Sequence, residues 1–213
     1  EARFRKSFKV LPKGNTYKNL STIIVIPTIG NQEEKGFLNC KKCKEKNEYT
    51  KCLINGLNPI VVESWKRMIK PMNVPILEMM VNGHEVGVAY NIAIETILNT
   101  PALKDFRFVL TMETDNIVPF IPNTQGPLMM LYECIEKGFD VAGGLYWTKG
   151  NPSMPLLYGD PKKDRSDPGG MFKVRHDWKP GQIVECNGMG MGFTLFKLDI
   201  FKDKRLKKPW FKT

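Results

Sequence analysis

The sequence predicts an α/β fold with a mostly parallel central sheet and helices on its faces, and three observations carry that expectation. Short β-branched or apolar runs alternate with longer segments of helical periodicity between residues 21 and 112, in the order strand, helix, strand, helix, strand. The strand-like runs are almost continuously apolar, as strands covered on both faces are. Polar residues collect where the runs stop, at the carboxyl edge where sheets of this kind bind ligands.

Residues 21–28 are a β-branched run closed by Pro27 and Thr28, which fits a buried strand ending at a loop. Residues 30–55 are polar and charged, with scattered Gly and Asn, and read as a surface insertion too long for a plain turn. Apolar positions at Ile60, Val61, Trp65, Met68 and Ile69 then predict a helix over 59–72, stopped by Pro71. A second strand over 74–81 breaks at Asn82-Gly83, small and apolar residues predict a helix over 86–98, and 106–112 is the third strand. Leu128, Met129, Leu131, Tyr132 and Ile135 place a helix over 127–138, ended by Gly138, and 140–147 returns as a strand. Residues 149–182 are rich in Gly, Pro and charge and predict a mobile or ligand-ordered loop. Gly188, Gly190 and Gly192 then open a last strand.

The bulk properties narrow the function classes. A chain of 213 residues with 42% hydrophobic residues can bury a sizeable core, and a single domain over 1–213 is expected. Its apolar runs are far shorter than the ~20 residues a membrane span needs. The first residues do not resemble a signal peptide, so a portion of a longer polypeptide is one expectation. The formal charge of +10 lies at the ends: residues 1–18 and 201–213 each carry six Lys or Arg against one acid, whereas 19–200 is balanced. A basic groove tracking a nucleic-acid backbone would draw on the folded body, so nucleic acid is disfavoured as a partner. Five cysteines are an odd count, which points to a reducing compartment and a cytoplasmic location over a disulfide framework. Cys40, Cys43 and Cys52 leave zinc binding open, without a fourth ligand at the partner spacing.

The most informative stretch is the end of the third strand, where Glu113 and Asp115 stand one residue apart. On an extended chain such residues point to the same side and can face one ion. Carboxylate oxygens suit Mg²⁺ or Mn²⁺, which keep positions open for water and substrate phosphates. Two acids that only solvate a strand end are the alternative.

The ordered set Pro27-Thr28, Gly87 to Asn91, Glu113-Thr114-Asp115-Asn116, Ala142 to Tyr146, Gly188 to Phe193 and Lys208 to Phe211 resembles nucleotide-sugar glycosyltransferases of the GT-A fold. The likeness is to family 2-like members common in viruses and phages, and it covers roughly residues 20–211. It implies a three-layer α/β/α sandwich and an enzyme transferring a sugar from a nucleoside-diphosphate sugar, a UDP-sugar first among these, to a glycan or other hydroxyl acceptor. Pro27, Thr28, Ile29, Asn82 and Asn91 would lie at the nucleotide, with Glu113, Thr114 and Asp115 at the diphosphate. Asp115 would ligate Mn²⁺ or Mg²⁺ directly, with Glu113 nearer the ribose or a metal-bound water. Gly188, Met189 and Gly190 would border the acceptor. Glu185, Asp177 and Asp167 are the available general bases, Glu185 first because it sits just ahead of the glycines. The chain departs from the family at Tyr90, where an Arg often stands, and it stops at Thr213 before the acidic base and His that often follow Pro-Trp-Phe. A nucleotide-sugar-binding module without a complete catalytic set is therefore the second reading, and a basic nucleic-acid-associated protein the third.

Overall fold

The computed structural model describes residues 20–28, 58–122, 124–163 and 172–212. Ile29, Asp167, the 30–55 insertion and its three cysteines lie outside the described residues.

Strand β1 (Thr22–Thr28) is buried from Thr22 to Pro27, as its unbroken apolar run requires. Its side chains alternate between two cores. Ile24 and Ile26 join a cluster with Val61, Trp65 and Met68 on one side, along with Leu128, Leu131 and Tyr132. Ile23 and Val25 join Tyr90, Ala93, Ile94 and Ile97 on the other. The first cluster belongs to α1 (Pro59–Lys66) and α3 (Pro127–Glu136), the second to α2 (Val86–Asn99). The side chains of β1 thus share one cluster with residues of α1 and α3 and the other with residues of α2.

Local chemistry sets the helix limits. The Asn58 side chain accepts from the Ile60 N–H and Pro59 follows at the first helical position, where its missing donor costs nothing. Glu85 caps α2 by accepting from the Gly87 and Val88 N–H groups, placing a carboxylate at the positive end of the helix. Helix α1 ends at Lys66, six residues before the expected limit, because the chain turns at Arg67 and Met68 ahead of Pro71. Met68 still reaches the core.

The main sheet runs β2 (Ile76–Asn82), β1, β3 (Phe108–Met112), β7 (Phe193–Lys197), β4 (Val141–Gly143). β1 pairs parallel with both β2 and β3, and β7 runs antiparallel between β3 and β4. Four of the five strands thus share a direction, in a mixed α/β sheet. The strand expected over 140–147 is only three residues long, because after Gly143 the chain leaves the sheet toward Tyr146. The glycine-marked strand divides in two: β6 (Gly188–Met189) pairs with β5 (Leu157–Tyr158) in a second small sheet, and β7 enters the main one. The described parts of the 149–182 segment are accordingly tied down by backbone pairing at residues 157–158 and by the Tyr158 to Val174 bridge.

The chain closes with a 3-10 turn (Leu198–Lys202) and a tail that returns to α2. Phe211 packs against Tyr90 and Phe196 at ring separations of 5.4 and 6.2 Å, and Trp210 against Phe201 at 5.6 Å. Among the described residues no helix is long and apolar enough to cross a membrane.

Candidate functional site

The carboxyl ends of β1, β2 and β3 lie at one edge of the sheet, and the polar residues expected there occupy it. Thr28 and Asn82 are directly opposite each other in register, and the Thr28 hydroxyl donates to the Asn82 side-chain oxygen. The Gly83 N–H donates to the Thr28 carbonyl at 3.0 Å, and Gly83 turns with φ +77°, a conformation that favours glycine. Pro27 is buried opposite Val81.

Beyond Met112 the chain bends sharply. The Glu113 N–H donates to the Gly192 carbonyl at 3.1 Å, and the Asn116 N–H returns to the Glu113 carbonyl at 3.2 Å, so Glu113, Thr114 and Asp115 form one turn anchored on the last strand. Helix α1 holds the far side of this turn: Trp65 Nε1–H donates to the Asn116 carbonyl at 3.4 Å, and the Ser64 hydroxyl accepts from the Val118 N–H at 3.0 Å.

The two carboxylates differ in setting. Glu113 is half-buried, and its carboxyl is pushed above the usual glutamate range by burial and by the negative charge of Asp115, an effect Lys149 partly offsets. Asp115 is exposed and takes the Lys149 ammonium on Oδ2 at 2.6 Å. Tyr90 and Tyr146 border the pair. Burial first and these carboxylates next raise the Tyr90 phenol far above its ordinary value, and burial with the same neighbours pushes Tyr146 up to about 12. Both phenols stay protonated at neutral pH.

The glycines have partners inside the protein. The Gly192 N–H donates to Tyr146 Oη at 2.6 Å, and a Cβ on either Gly190 or Gly192 would overlap the Tyr146 phenol. At Gly192 it would also overlap Asn116 Nδ2, a buried side-chain nitrogen with no hydrogen-bond partner. The absence of side chains at 190 and 192 therefore makes room for Tyr146 and Asn116. Met189 lays its thioether against Gly143, and Gly188 lies over Tyr158.

Asn91 has a different place from the one the resemblance implies. Its Oδ1 accepts from the Trp210 and Phe211 N–H groups at 2.9 and 3.2 Å. Its Nδ2 donates to the Phe211 and Gly87 carbonyls at 2.8 Å each. Two donor hydrogens and two acceptor sites are all an amide offers, so Asn91 is occupied as a clamp on the tail and has no group left for a nucleotide. Its tail partners Trp210 and Phe211 lie 119 and 120 residues away along the chain.

The base candidates lie on the segment leading into β6. Asp177 gives both oxygens to Arg175 at 2.8 Å, and this pairing holds its carboxyl down at about 2, too low for effective proton abstraction at neutral pH. Arg175 also donates to the Glu185 carbonyl at 2.5 Å, while Glu185 itself is exposed. Sequence reasoning missed Lys149, and it quoted Tyr146 and Asn116 within motifs without giving either a role. Asn116 directly follows the acid pair, but nothing in the pattern around Lys149 marks it out.

The donor set is compatible with a hard divalent cation: two carboxylates whose mutual repulsion a cation would relieve, one of them already drawing an ammonium. Among the described residues no group of three His, Cys, Asp or Glu comes together, and what those residues offer such a site is the pair.

No family model matches the chain, and no curated protein matches it. Among solved structures, the crystal structure of A197 from STIV is similar over 88% of this chain and 69% of that one, at 19% identity and a TM-score of 0.48.

Proposed function

We propose that this chain is a metal-dependent glycosyltransferase of the GT-A type, a three-layer α/β/α domain that transfers a sugar from a nucleoside-diphosphate sugar, a UDP-sugar foremost, to a glycan or other hydroxyl acceptor. The observation that carries the reading is the position of Glu113 and Asp115, in a turn at the carboxyl end of β3, beside the ends of the two parallel strands β1 and β2. Open α/β sheets bind nucleotides at this edge.

In this reading Thr28 and Asn82 face the nucleoside, and Asp115 and Glu113 hold Mn²⁺ or Mg²⁺. The cation would neutralise charge growing on the departing diphosphate. The protein's own part is positional. The Glu113 N–H to Gly192 contact fixes where the carboxylates stand, and Trp65 and Ser64 keep the following loop from drifting. The half-burial of Glu113 strengthens its interaction with any cation by limiting screening. Glu185 is the better placed of the described candidates to accept the acceptor's proton, because Asp177 is committed to Arg175. That commitment also favours the second reading, a nucleotide-sugar-binding module that lacks a complete catalytic set.

Calorimetry with Mn²⁺ and a panel of nucleoside diphosphates tests both readings. Binding that Asp115→Asn weakens by tenfold or more is expected. Equal binding by both proteins, or by neither, refutes the site. Transfer of a labelled sugar from its donor to any acceptor separates the enzyme from the binding module.

A further inference from the structure

Lys149 sits where nothing in the sequence predicts a functional cation. It lies near the tip of a tight hairpin over 146–156. The hairpin is braced by the Leu156 N–H to Tyr146 carbonyl bond at 2.9 Å, the Thr148 N–H to Met154 carbonyl bond at 2.8 Å, and the Ser153 hydroxyl on the Thr148 carbonyl at 2.6 Å. Its foot is fixed to the site, because Tyr146 Oη accepts from the Gly192 N–H and the Gly192 carbonyl accepts from Glu113. Three residues beyond Tyr146, the Lys149 ammonium meets Asp115 Oδ2 at 2.6 Å.

Two properties of this contact point beyond a static ion pair. It is exposed, with the Lys149 side chain 79% and the Asp115 side chain 47% accessible. Exposed pairs are weak and exchange readily. It also places a positive charge on the more accessible of two mutually repelling carboxylates, the position that any cation entering from solvent must take.

We propose that Lys149 is an exchangeable counter-ion of the acid pair. Its ammonium holds Asp115 in the unliganded protein, yields that carboxylate to a divalent cation, and then pairs with the phosphate oxygens of a bound nucleoside diphosphate. The proposal rests on the reading of Glu113 and Asp115 as a metal and diphosphate site. No covalent bond changes. The lysine exchanges one oxygen anion for another, and the fixed foot of the hairpin keeps it within reach of both.

Such a role gives a signature of opposite signs. Lys149→Gln removes a competitor for Asp115, so Mn²⁺ alone, followed by the paramagnetic resonance signal of the free ion, binds about fivefold more tightly, the equivalent of the ~1 kcal/mol of an exposed ion pair. The same variant binds UDP or GDP in saturating Mn²⁺ about fivefold more weakly, by calorimetry. Lys149→Arg keeps both constants near the parent values. Loss of hairpin structure would weaken both together, so constants that move in the same direction, or not at all, overturn the proposal. If Mn²⁺ binding depends on Asp115 yet ignores Lys149→Gln, the lysine's role fails and the metal site stands. If the parent protein binds no Mn²⁺, or binds it equally after Asp115→Asn, both fail.

Discussion

Asn91→Ala offers the sharpest separation between what the sequence pattern suggests and what the fold does. The asparagine makes four hydrogen bonds at 2.8 to 3.2 Å, three of them to the backbone of Trp210 and Phe211. Each such bond contributes about 1 kcal/mol net, and a group left buried without a partner costs about 1–3 kcal/mol. The freed tail groups can partly recover water, since Trp210 and Phe211 are only half-buried, so a loss of about 2–4 kcal/mol is expected. With a urea slope of about 2 kcal/mol/M, the midpoint should fall by about 1–2 M. Hydrogen exchange localises the effect: the Trp210 and Phe211 amides should lose protection first. A midpoint shift corresponding to less than about 0.5 kcal/mol, the range of ordinary surface substitutions, together with unchanged protection of those two amides, would refute the clamp. A defect confined to nucleotide affinity would restore the ligand role instead.

Gly192→Ala should destabilise by about 1–3 kcal/mol in chemical denaturation, because its Cβ meets the Asn116 amide and the Tyr146 ring together. Gly143→Ala should cost less, since the neighbouring Met189 thioether is flexible, and equal losses would contradict the notch described for Tyr146. Glu113→Gln should stabilise the metal-free protein at pH 7. The folded state raises this carboxyl above its ordinary 4.5, so the parent is relatively more stable in acid and loses that advantage as the pH rises through the raised value. The gain from the amide should therefore shrink below pH 4.5, and a gain of the same size at pH 3.5 and 7 would exclude the carboxylate as its source.

Much of the fold was legible because the strands and helices announce themselves by period. The unbroken apolar run of β1 implied burial on both faces, and its residues do alternate between two cores. Helix α2 was readable from Val86 because small residues such as Ala89 and Ala93 recur on one face, and both are fully buried. The ends of elements were less legible. The 140–147 run is apolar enough for a strand, but only three residues find a partner in β7, and strand length is set by the neighbour as much as by the chain itself. The glycines at 188, 190 and 192 carried a signal for close approach, but a sequence cannot say what approaches, and at 190 and 192 it is Tyr146, joined at 192 by Asn116. The acid pair was visible as a spacing. The cation beside it was not, because Lys149 reaches Asp115 across 34 residues through a hairpin whose shape depends on side-chain to backbone bonds at Thr148 and Ser153.

The late arrival of β7 has a consequence for how the molecule is made. Its partners on β3 precede it by 81 to 89 positions, and β4 pairs only with β7 among the described residues. During synthesis β1, β2 and β3 can pair as soon as residue 112 has emerged, while β4 has no neighbour and the turn at Glu113 has no carbonyl to close on. Contacts so distant along the chain form slowly and leave sheet edges open to misassembly in the meantime. The turn that carries the acid pair closes on the Gly192 carbonyl, so a nascent or truncated chain ending before residue 192 would lack that anchor.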